Sequence, residues 1–180
     1  QVGPCRACDV CHRTGTCAID DDFPRIRDAL MAAEGIILAS PNYLSSVSAQ
    51  LKAVMDRCCG LLHCQAFRGK YSAAVVTSGG GGEEQVQEYI LGFLRNMGSW
   101  TVGGAGATAG TLANAATRPA ALQAAAKLGA ELVRAISSGA TYPRQQAQQA
   151  AFAQRMKDLV RSRSHEWTYE AEYWQSRGWS

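Results

Sequence analysis

Residues 35–57 read GIILASPNYLSSVSAQLKAVMDR, and this stretch decides the fold. Its first part, 35–40, is a short and continuously apolar run, which is the pattern of a parallel strand covered on both faces. A polar loop follows at 41–46. The next segment, 47–62, repeats its apolar side chains at helical spacing. The stretch is therefore predicted to form a strand, a loop and a helix in close succession.

The same unit recurs further along the chain. Residues 71–77 are a second apolar run, followed by Ser78, by a glycine run at 79–82 and by helical periodicity over 83–97. A third strand is predicted at 100–104, and it leads into a loop rich in glycine and alanine at 105–110. Strands that alternate with helices over short connections predict an α/β protein with a parallel sheet.

Prolines and aromatic residues define the remaining elements. Pro24, Pro119 and Pro143 each suit the first turn of a helix, and the aspartates before Pro24 favour the positive end of that helix. Residues 165–179 are dense in aromatic side chains, so we expect this tail to pack on the body of the protein or on a neighbouring copy. The chain, 1–180, is predicted to be one domain, divided into a cysteine-rich loop (1–23), an α/β core (24–140) and a C-terminal helix with the aromatic tail (141–180).

Composition excludes several classes of protein. The net charge is only +3, and the basic residues are spread along the chain, which does not predict a nucleic-acid surface. No apolar run approaches the length of a membrane span, and we recognise no secretory signal segment. Together with seven cysteines, these features predict a protein of the reducing cytoplasm.

Four of the cysteines lie within the first seventeen residues. Their spacing, C-x2-C-x2-C-x5-C, allows each thiolate to reach a different corner of an iron–sulfur cluster. Zinc, with His12 as an additional ligand, and free redox-active thiols are alternatives that the spacing leaves open. The predicted metal ligands are Cys5, Cys8, Cys11 and Cys17.

The remaining cysteines and histidines carry no such pattern. Three cysteines are predicted to pack in the core as small apolar residues: Cys58, Cys59 and Cys64. Unless His12 is a zinc ligand, His12 and His63 are expected to be packed or solvated.

Two loops have the composition of a ligand-binding site. Ligands of open α/β sheets bind where strands end and helices begin, and both loops follow a predicted strand. The first, 40–47, offers hydroxyls, an amide and an aromatic ring just ahead of a helix. The second, 77–82, contains four glycines, which let backbone N–H groups come close to a flat ligand such as a flavin. Two such loops at successive strand ends favour a flavin site over ordinary tight turns.

Three segments also resemble a known family. SPNYLSSVSAQLKAVMDR (40–57) and TSGGGGEEQVQEYILGFLRNMG (77–98) resemble the two flavin loops and following helices of NADPH-dependent FMN reductase-like flavoproteins. With CRACDVCHRTGTCAIDDDF (5–23) in front of them, the chain resembles the iron–sulfur flavoproteins of that group. The resemblance covers residues 4–110 of the sequence.

The resemblance implies a flavodoxin-like fold with helices on both faces of the sheet, FMN, and a [4Fe–4S] cluster held by the four motif cysteines. It implies a homodimer or homotetramer, in which the cluster of one subunit sits near the FMN of another. Electrons are expected to be exchanged with NAD(P)H, or with ferredoxin or another redox protein. The residues expected around FMN are Ser40, Pro41, Asn42, Tyr43, Ser45, Ser46 and Val47, with Thr77, Ser78, Gly79, Gly80 and Gly81 around its ring.

One part of the family pattern has no counterpart in this sequence. The family begins with a strand, a phosphate-binding loop, a helix and a second strand, and the flavodoxin-like strand order is 2-1-3-4-5. Only the last three strands are found here, so the N-terminal strand–helix–strand is expected to be missing and the FMN phosphate site to be incomplete. We therefore expect this chain alone to bind FMN weakly, which a titration against a version with that start restored would test.

The expected function is that of an FMN-dependent oxidoreductase or electron-transfer flavoprotein that couples a cluster to FMN. No catalytic side chain is expected, because the cofactors carry the redox chemistry. One alternative is an NAD(P)H-dependent FMN or quinone reductase without a cluster. Another is a non-enzymatic, zinc-stabilised interaction domain with an empty flavin cleft.

Overall fold

A three-stranded parallel sheet forms the centre of the computed structural model, which describes residues 1–179. The strands are β1 (Gly35–Pro41), β2 (Tyr71–Ser78) and β3 (Trp100–Thr108), and they lie in the order β1-β2-β3. Because the first residues of all three strands pair in register, their carboxyl ends lie along one edge of the sheet. The predicted α/β class with a parallel sheet is confirmed.

Nine helices are present within the described residues. They are α1 (Val10–Thr14), α2 (Phe23–Ala32), α3 (Ala49–Arg57), α4 (Cys59–His63), α5 (Glu83–Asn96), α6 (Ala109–Ala113), α7 (Arg118–Ser138), α8 (Pro143–Ser162) and α9 (Thr168–Gln175). Over residues 1–179, none of them is both long and apolar enough to cross a membrane.

Helices cover the sheet on two faces. On one face, α2, α3 and α5 contribute Phe23, Met55 and Ile90 to a core that also includes Ile36 of β1. On the other face, α7 packs through Leu132 on the sheet. The expected arrangement of helices on both faces is therefore confirmed.

Strand β1 is covered on only one face, contrary to the sequence-based prediction. Ile36 is buried beneath the first helical layer, whereas Ile37, which points to the opposite face, is 52% exposed. Helix α7 reaches the start of β1 at Gly35, where Ile136 lies close, but it leaves Ile37 uncovered. Strand β2, with a neighbour on each side, is buried on both faces.

The helix predicted over 47–62 is in fact two helices. Helix α3 begins after Ser48, whose Oγ accepts the backbone N–H of Leu51 at 3.2 Å. It ends at Arg57, since Cys58 adopts a non-helical ψ of 9° and α4 starts at the next residue. Gly60 in α4 lies against Cys11, where a Cβ would be 3.6 Å from the Cys11 Cβ. The break thus turns α4 toward the cysteine-rich segment.

Strand β3 is longer than predicted. It continues to Thr108, so residues 105–108 are a strand rather than a loop. Parallel pairing with β2 extends to the end of both strands and satisfies the backbone groups of β3 that face β2. The glycines suit this strand because helix α5 lies close to it: a Cβ at Gly104 or Gly106 would meet the Gln87 side chain at 2.4 Å.

The aromatic tail packs on the body of its own chain. Helix α9 contacts α1 and α8, and Trp167 and Trp174 are both buried. The indole N–H of Trp174 donates to the carbonyl oxygen of His63 at 3.2 Å. Of the two expected positions for the tail, packing on the body is therefore observed.

Two glycine-to-alanine substitutions are expected to change the free energy of unfolding in opposite directions, because the two glycines differ in backbone conformation. Gly98 follows the end of α5 with φ +94°, and a Cβ there would lie 3.1 Å from the Gln65 carbonyl oxygen. We expect Gly98→Ala to lower the free energy of unfolding by about 1–3 kcal/mol, because alanine is strained at positive φ. Gly129 lies within α7, and no atom lies near the position of an added Cβ. Gly129→Ala should therefore raise the free energy of unfolding by about 0.5–1 kcal/mol. Urea denaturation followed by circular dichroism measures both, and a shift of the same sign in the two variants would contradict this account.

Candidate functional site

The two predicted flavin loops meet at the carboxyl edge of the sheet. Asn42 joins them, since its Nδ2 donates to the Gly81 carbonyl oxygen at 2.8 Å and its backbone N–H donates to the Thr77 carbonyl oxygen at 2.6 Å. Its Oδ1 is buried and has no hydrogen-bond partner among residues 1–179. A buried acceptor without a donor costs free energy. This oxygen is therefore suited to a donor group on a bound molecule.

The glycine loop leaves its backbone open to a ligand. At Gly79 and Gly80, a Cβ would meet no atom within 4 Å. Gly81 and Gly82 have φ +138° and +80°, conformations that side chains rarely adopt. The hydroxyl of Ser78 accepts the backbone N–H of Gly81 at 2.9 Å and holds the turn closed. A flat ring system can therefore approach this backbone without displacing protein atoms.

The first loop carries a strained and exposed tip. Tyr43 and Ser46 pair through two backbone hydrogen bonds of 2.9 and 3.0 Å. Between them, Leu44 and Ser45 have φ +51° and +60°, although neither is a glycine. Leu44 is fully exposed and Tyr43 is 62% exposed. Strained backbone of this kind is concentrated at ligand-binding and recognition sites.

Three of the predicted flavin-site residues shape the loops from within. Ser40 is buried, and its hydroxyl accepts the Ser48 N–H at 2.9 Å and donates to the Pro41 carbonyl oxygen at 2.8 Å. Val47 packs in the core, and Ser78 is buried behind the glycine turn. The predicted residues that are partly or fully exposed at this edge are Pro41, Asn42, Tyr43, Ser45, Ser46, Thr77, Gly79, Gly80 and Gly81. Together with the unpaired Asn42 oxygen, they fit the ring of a flavin.

The motif cysteines are only partly brought together. Cys11 and Cys17 are half-buried and line one cavity of about 80 Å³, together with Cys64. Cys5 and Cys8 are exposed. No disulfide links any cysteine, since all seven are free thiols within the described chain.

A buried arginine supports Cys17. Arg57 donates from Nη2 to the Cys17 Sγ at 3.2 Å, and its Nη1 pairs with the Asp21 carboxylate at 2.5 Å. That hydrogen bond, with two more from the backbone N–H groups of Gly3 and Phe23, holds the pKa of Asp21 well below its usual range. A fixed cation that donates to a sulfur stabilises a thiolate and an anionic cluster bound to it. The surroundings of Cys17 therefore fit an iron–sulfur cluster.

A buried polar cluster, formed by His12, Cys59, His63 and Glu170, lies beside this cavity. Glu170 is 0% exposed. It accepts from the Nδ1 of His12 at 2.5 Å and from the Nδ1 of His63 at 2.9 Å. The Cys59 Sγ lies 3.7 Å from the Nε2 of His63. Cys59 is thus part of a polar cluster, whereas Cys58 and Cys64 are buried core residues as predicted.

Sequence reasoning missed this cluster. The four-residue spacing of Cys59 and His63 on a helix is a signal that could have indicated half of it. Glu170 is separated from His12 by 158 residues, and only the docking of α9 on α1 joins them.

Hydrogen bonds set the charge of the cluster, and an aromatic ring covers it. The Trp167 ring stacks on both imidazoles, with centroids 4.5 Å from His12 and 5.1 Å from His63. Hydrogen bonds with His12 and His63 lower the pKa of the Cys59 thiol to about 6, against the effect of burial. Burial by itself lowers the pKa of His63, but hydrogen bonds with Cys59 and Glu170 outweigh it and raise that pKa to about 9. The surroundings therefore favour a thiolate beside cationic imidazole.

Comparison with known proteins identifies relatives of the chain. The model of the family described as NADPH-dependent FMN reductase matches residues 2–114. An iron–sulfur flavoprotein from Archaeoglobus fulgidus is 40% identical over 101 residues, which are 53% of this chain and 52% of that protein. A second iron–sulfur flavoprotein from the same organism is 27% identical and aligns over 99% of this chain and 80% of its own length. The chain thus spans about half the length of the first relative.

A solved structure shares the fold. The apo form of an NADH:FMN oxidoreductase (EMOB) superposes with a TM-score of 0.51 at 23% sequence identity, over 70% of this chain and 64% of that chain. This likeness concerns the fold, and it agrees with the expected flavodoxin-like architecture.

Proposed function

Because the chain belongs to the NADPH-dependent FMN reductase family, we propose that it is an FMN-dependent oxidoreductase in which FMN is coupled to a [4Fe–4S] cluster. The observation that carries this proposal is the position of the two candidate sites at opposite ends of α3. That helix begins directly after the first flavin loop and ends at Arg57, which reaches Cys17. The helix between them is nine residues long, which at a rise of 1.5 Å per residue is about 13.5 Å.

The loops at the sheet edge would hold the flavin ring. FMN, when bound, would supply exchange between two-electron and one-electron transfer, and the cluster would supply one-electron transfer. Asn42 fixes the distance between the loops and presents an unpaired oxygen to the ring. The bare backbone at Gly79 and Gly80 offers the N–H groups of the second wall. No side chain is proposed to act as a general acid or base.

The cluster would be held by the cysteine-rich segment. The proposed ligands are Cys5, Cys8, Cys11 and Cys17. Arg57, itself buried and tied to Asp21, keeps an N–H directed at the sulfur of Cys17. A donor to a ligating sulfur stabilises the more negative, reduced form and raises the reduction potential. We therefore propose that Arg57 tunes the cluster.

We propose that the protein works in the cytoplasm as a homodimer or homotetramer. The tip of the first flavin loop exposes Leu44 and Tyr43, two large apolar side chains that a second subunit would cover. The proposed electron partners are NAD(P)H and a redox protein such as ferredoxin.

One observation favours a second candidate function. Cys5 and Cys8 are exposed and do not line the cavity that Cys11 and Cys17 share. An NAD(P)H-dependent FMN or quinone reductase without a cluster would not require the four cysteines to lie close together. Iron and sulfide analysis of protein purified without oxygen separates the two functions.

Substitution of Gly80 by valine tests the flavin site. The position is open and its φ is not positive, so valine should be accommodated without loss of stability. The new side chain would fill the space that the ring requires, and we expect at least a tenfold increase in the Kd for FMN, which is about 1.4 kcal/mol. Quenching of FMN fluorescence measures the Kd, and thermal unfolding checks the fold. Gly129→Ala serves as the control, and an unchanged Kd in Gly80→Val would place the flavin elsewhere.

A further inference from the structure

We propose that His12, Cys59 and His63 form a second metal site, separate from the four-cysteine motif, which binds a Zn²⁺ ion. Each of the three residues offers one ligand atom, and these atoms all lie within 4.8 Å of one another. No other group of three such side chains within residues 1–179 meets this distance. The inference is independent of the proposed redox function.

The spacing of the donor atoms suits a tetrahedral ion. Cys59 and His63 are four residues apart on α4, so their side chains lie on the same face of the helix. Their Sγ and Nε2 atoms are 3.7 Å apart. With Zn–S and Zn–N bonds of about 2.3 and 2.0 Å, tetrahedral coordination places these atoms about 3.5 Å apart. Little movement is needed to accept the ion.

Glu170 orients both imidazoles. Each Nδ1 donates to one oxygen of this buried carboxylate, so the Nε2 atom of each ring is the one left for a metal. Metal-binding histidines usually donate their second N–H to a carboxylate or a carbonyl oxygen in this way. Here a single carboxylate serves two histidines, and it has no exposed surface. The two histidines are thus held in the orientation that a zinc site requires.

The donor atoms of the cluster match zinc. Binding of Zn²⁺ replaces the protons that the sulfur and the Nε2 atoms otherwise carry, and it places the ion beside imidazoles that the buried carboxylate of Glu170 holds. One sulfur and two imidazole nitrogens form a donor set that zinc prefers and that Mg²⁺ and Ca²⁺ do not.

The fourth position has two candidate ligands. The Asp9 carboxylate lies 3.8 Å from the Nε2 of His12 and is partly exposed. A water molecule is the alternative, since Cys59 also lines a groove of about 480 Å³ that is open to solvent. Either ligand completes a tetrahedron, and the groove provides the path by which the ion enters.

The proposed zinc site would join three segments that are far apart in the sequence. His12 lies on α1, Cys59 and His63 lie on α4, and Glu170 lies on α9. Zinc would therefore fasten the cysteine-rich segment and the aromatic tail to the α/β core. Removal of the ion should loosen the contact between α1 and α9 first.

Zinc analysis combined with X-ray absorption tests the proposal. Protein purified without oxygen is dialysed against ZnCl₂ and then against metal-free buffer. We expect one zinc per chain, with a shell of one sulfur at about 2.3 Å and nitrogen or oxygen ligands at about 2.0 Å. Cys59→Ser and His63→Ala should each lose this ion, whereas Cys58→Ser, at the adjacent position, should retain it. Circular dichroism verifies that each variant is folded.

Glu170→Gln provides a second and milder variant. The amide keeps the shape of the side chain but weakens its hold on the imidazoles, and we expect zinc affinity to fall about 10- to 100-fold. A zinc shell made only of sulfur would mean that the ion sits on the four-cysteine motif, and it would overturn the proposal. Equal zinc content in the native protein and in Cys59→Ser would overturn it as well. Neither result depends on whether FMN is present.

Discussion

Replacement of Cys17 by alanine should remove the bound iron almost completely, from about four atoms per chain to fewer than about 0.5. Cys17 lines the same cavity as Cys11 and receives a hydrogen bond from the buried Arg57. Loss of one of the four proposed thiolate ligands would leave an iron atom without its protein ligand, and the proposed cluster would then fall apart. Iron and sulfide analysis after anaerobic purification, together with the visible spectrum, gives the result.

Cys64→Ala is the matched control for this experiment. Cys64 lines the same cavity, but it is buried within the core and lies outside the cysteine motif. Burial raises the pKa of its thiol, which disfavours the thiolate that a cluster requires. Iron should therefore be retained in Cys64→Ala. The opposite pattern, with iron lost from Cys64→Ala and kept in Cys17→Ala, would make Cys64 the fourth ligand.

Replacement of Trp174 by alanine should lower the free energy of unfolding by about 3–5 kcal/mol. This indole is 2% exposed and is among the largest fully buried side chains. Its N–H donates to the His63 carbonyl oxygen, and the Lys157 ammonium lies 5.2 Å from its ring centroid. Truncation would leave a cavity and an unpaired carbonyl between α9 and the core. Urea denaturation followed by circular dichroism measures the loss.

Leu122→Ala is the comparison for Trp174→Ala. Leu122 is 59% exposed on α7, so its truncation should change the free energy of unfolding by no more than about 0.5 kcal/mol. A similarly small change in Trp174→Ala would mean that the tail contributes little to the stability of the chain. A large change would establish that α9 is part of the folded core.

Much of the α/β core could be predicted because its signals are local. The apolar run at 71–77 became β2 with one more residue, and the helix predicted over 83–97 was observed over Glu83–Asn96. Each signal is a periodicity among residues a few positions apart in the sequence, so it can be read without knowing how distant segments pack. The two candidate flavin loops could be proposed for the same reason, since each directly follows a strand.

Other features depended on contacts between distant segments. The extension of β3 to Thr108 depends on pairing with β2 and on the closeness of α5, which the small residues at 105–108 do not reveal. The exposure of Ile37 likewise depends on which helix covers β1. Apolar composition predicts that a residue can be buried, but only the arrangement of neighbours decides whether it is.

The candidate sites also combine features set by local sequence with features set by contacts between distant segments. The sequence by itself determined the spacing of the four motif cysteines and the glycine run at 79–82, because both are properties of residues close together in the chain. Only the tertiary structure brought Glu170 between His12 and His63, and only it placed Arg57 on Cys17. Such contacts form when the docking of α9 and the end of α3 bring polar groups into a buried site. There, each buried charge must find a partner from a remote part of the chain.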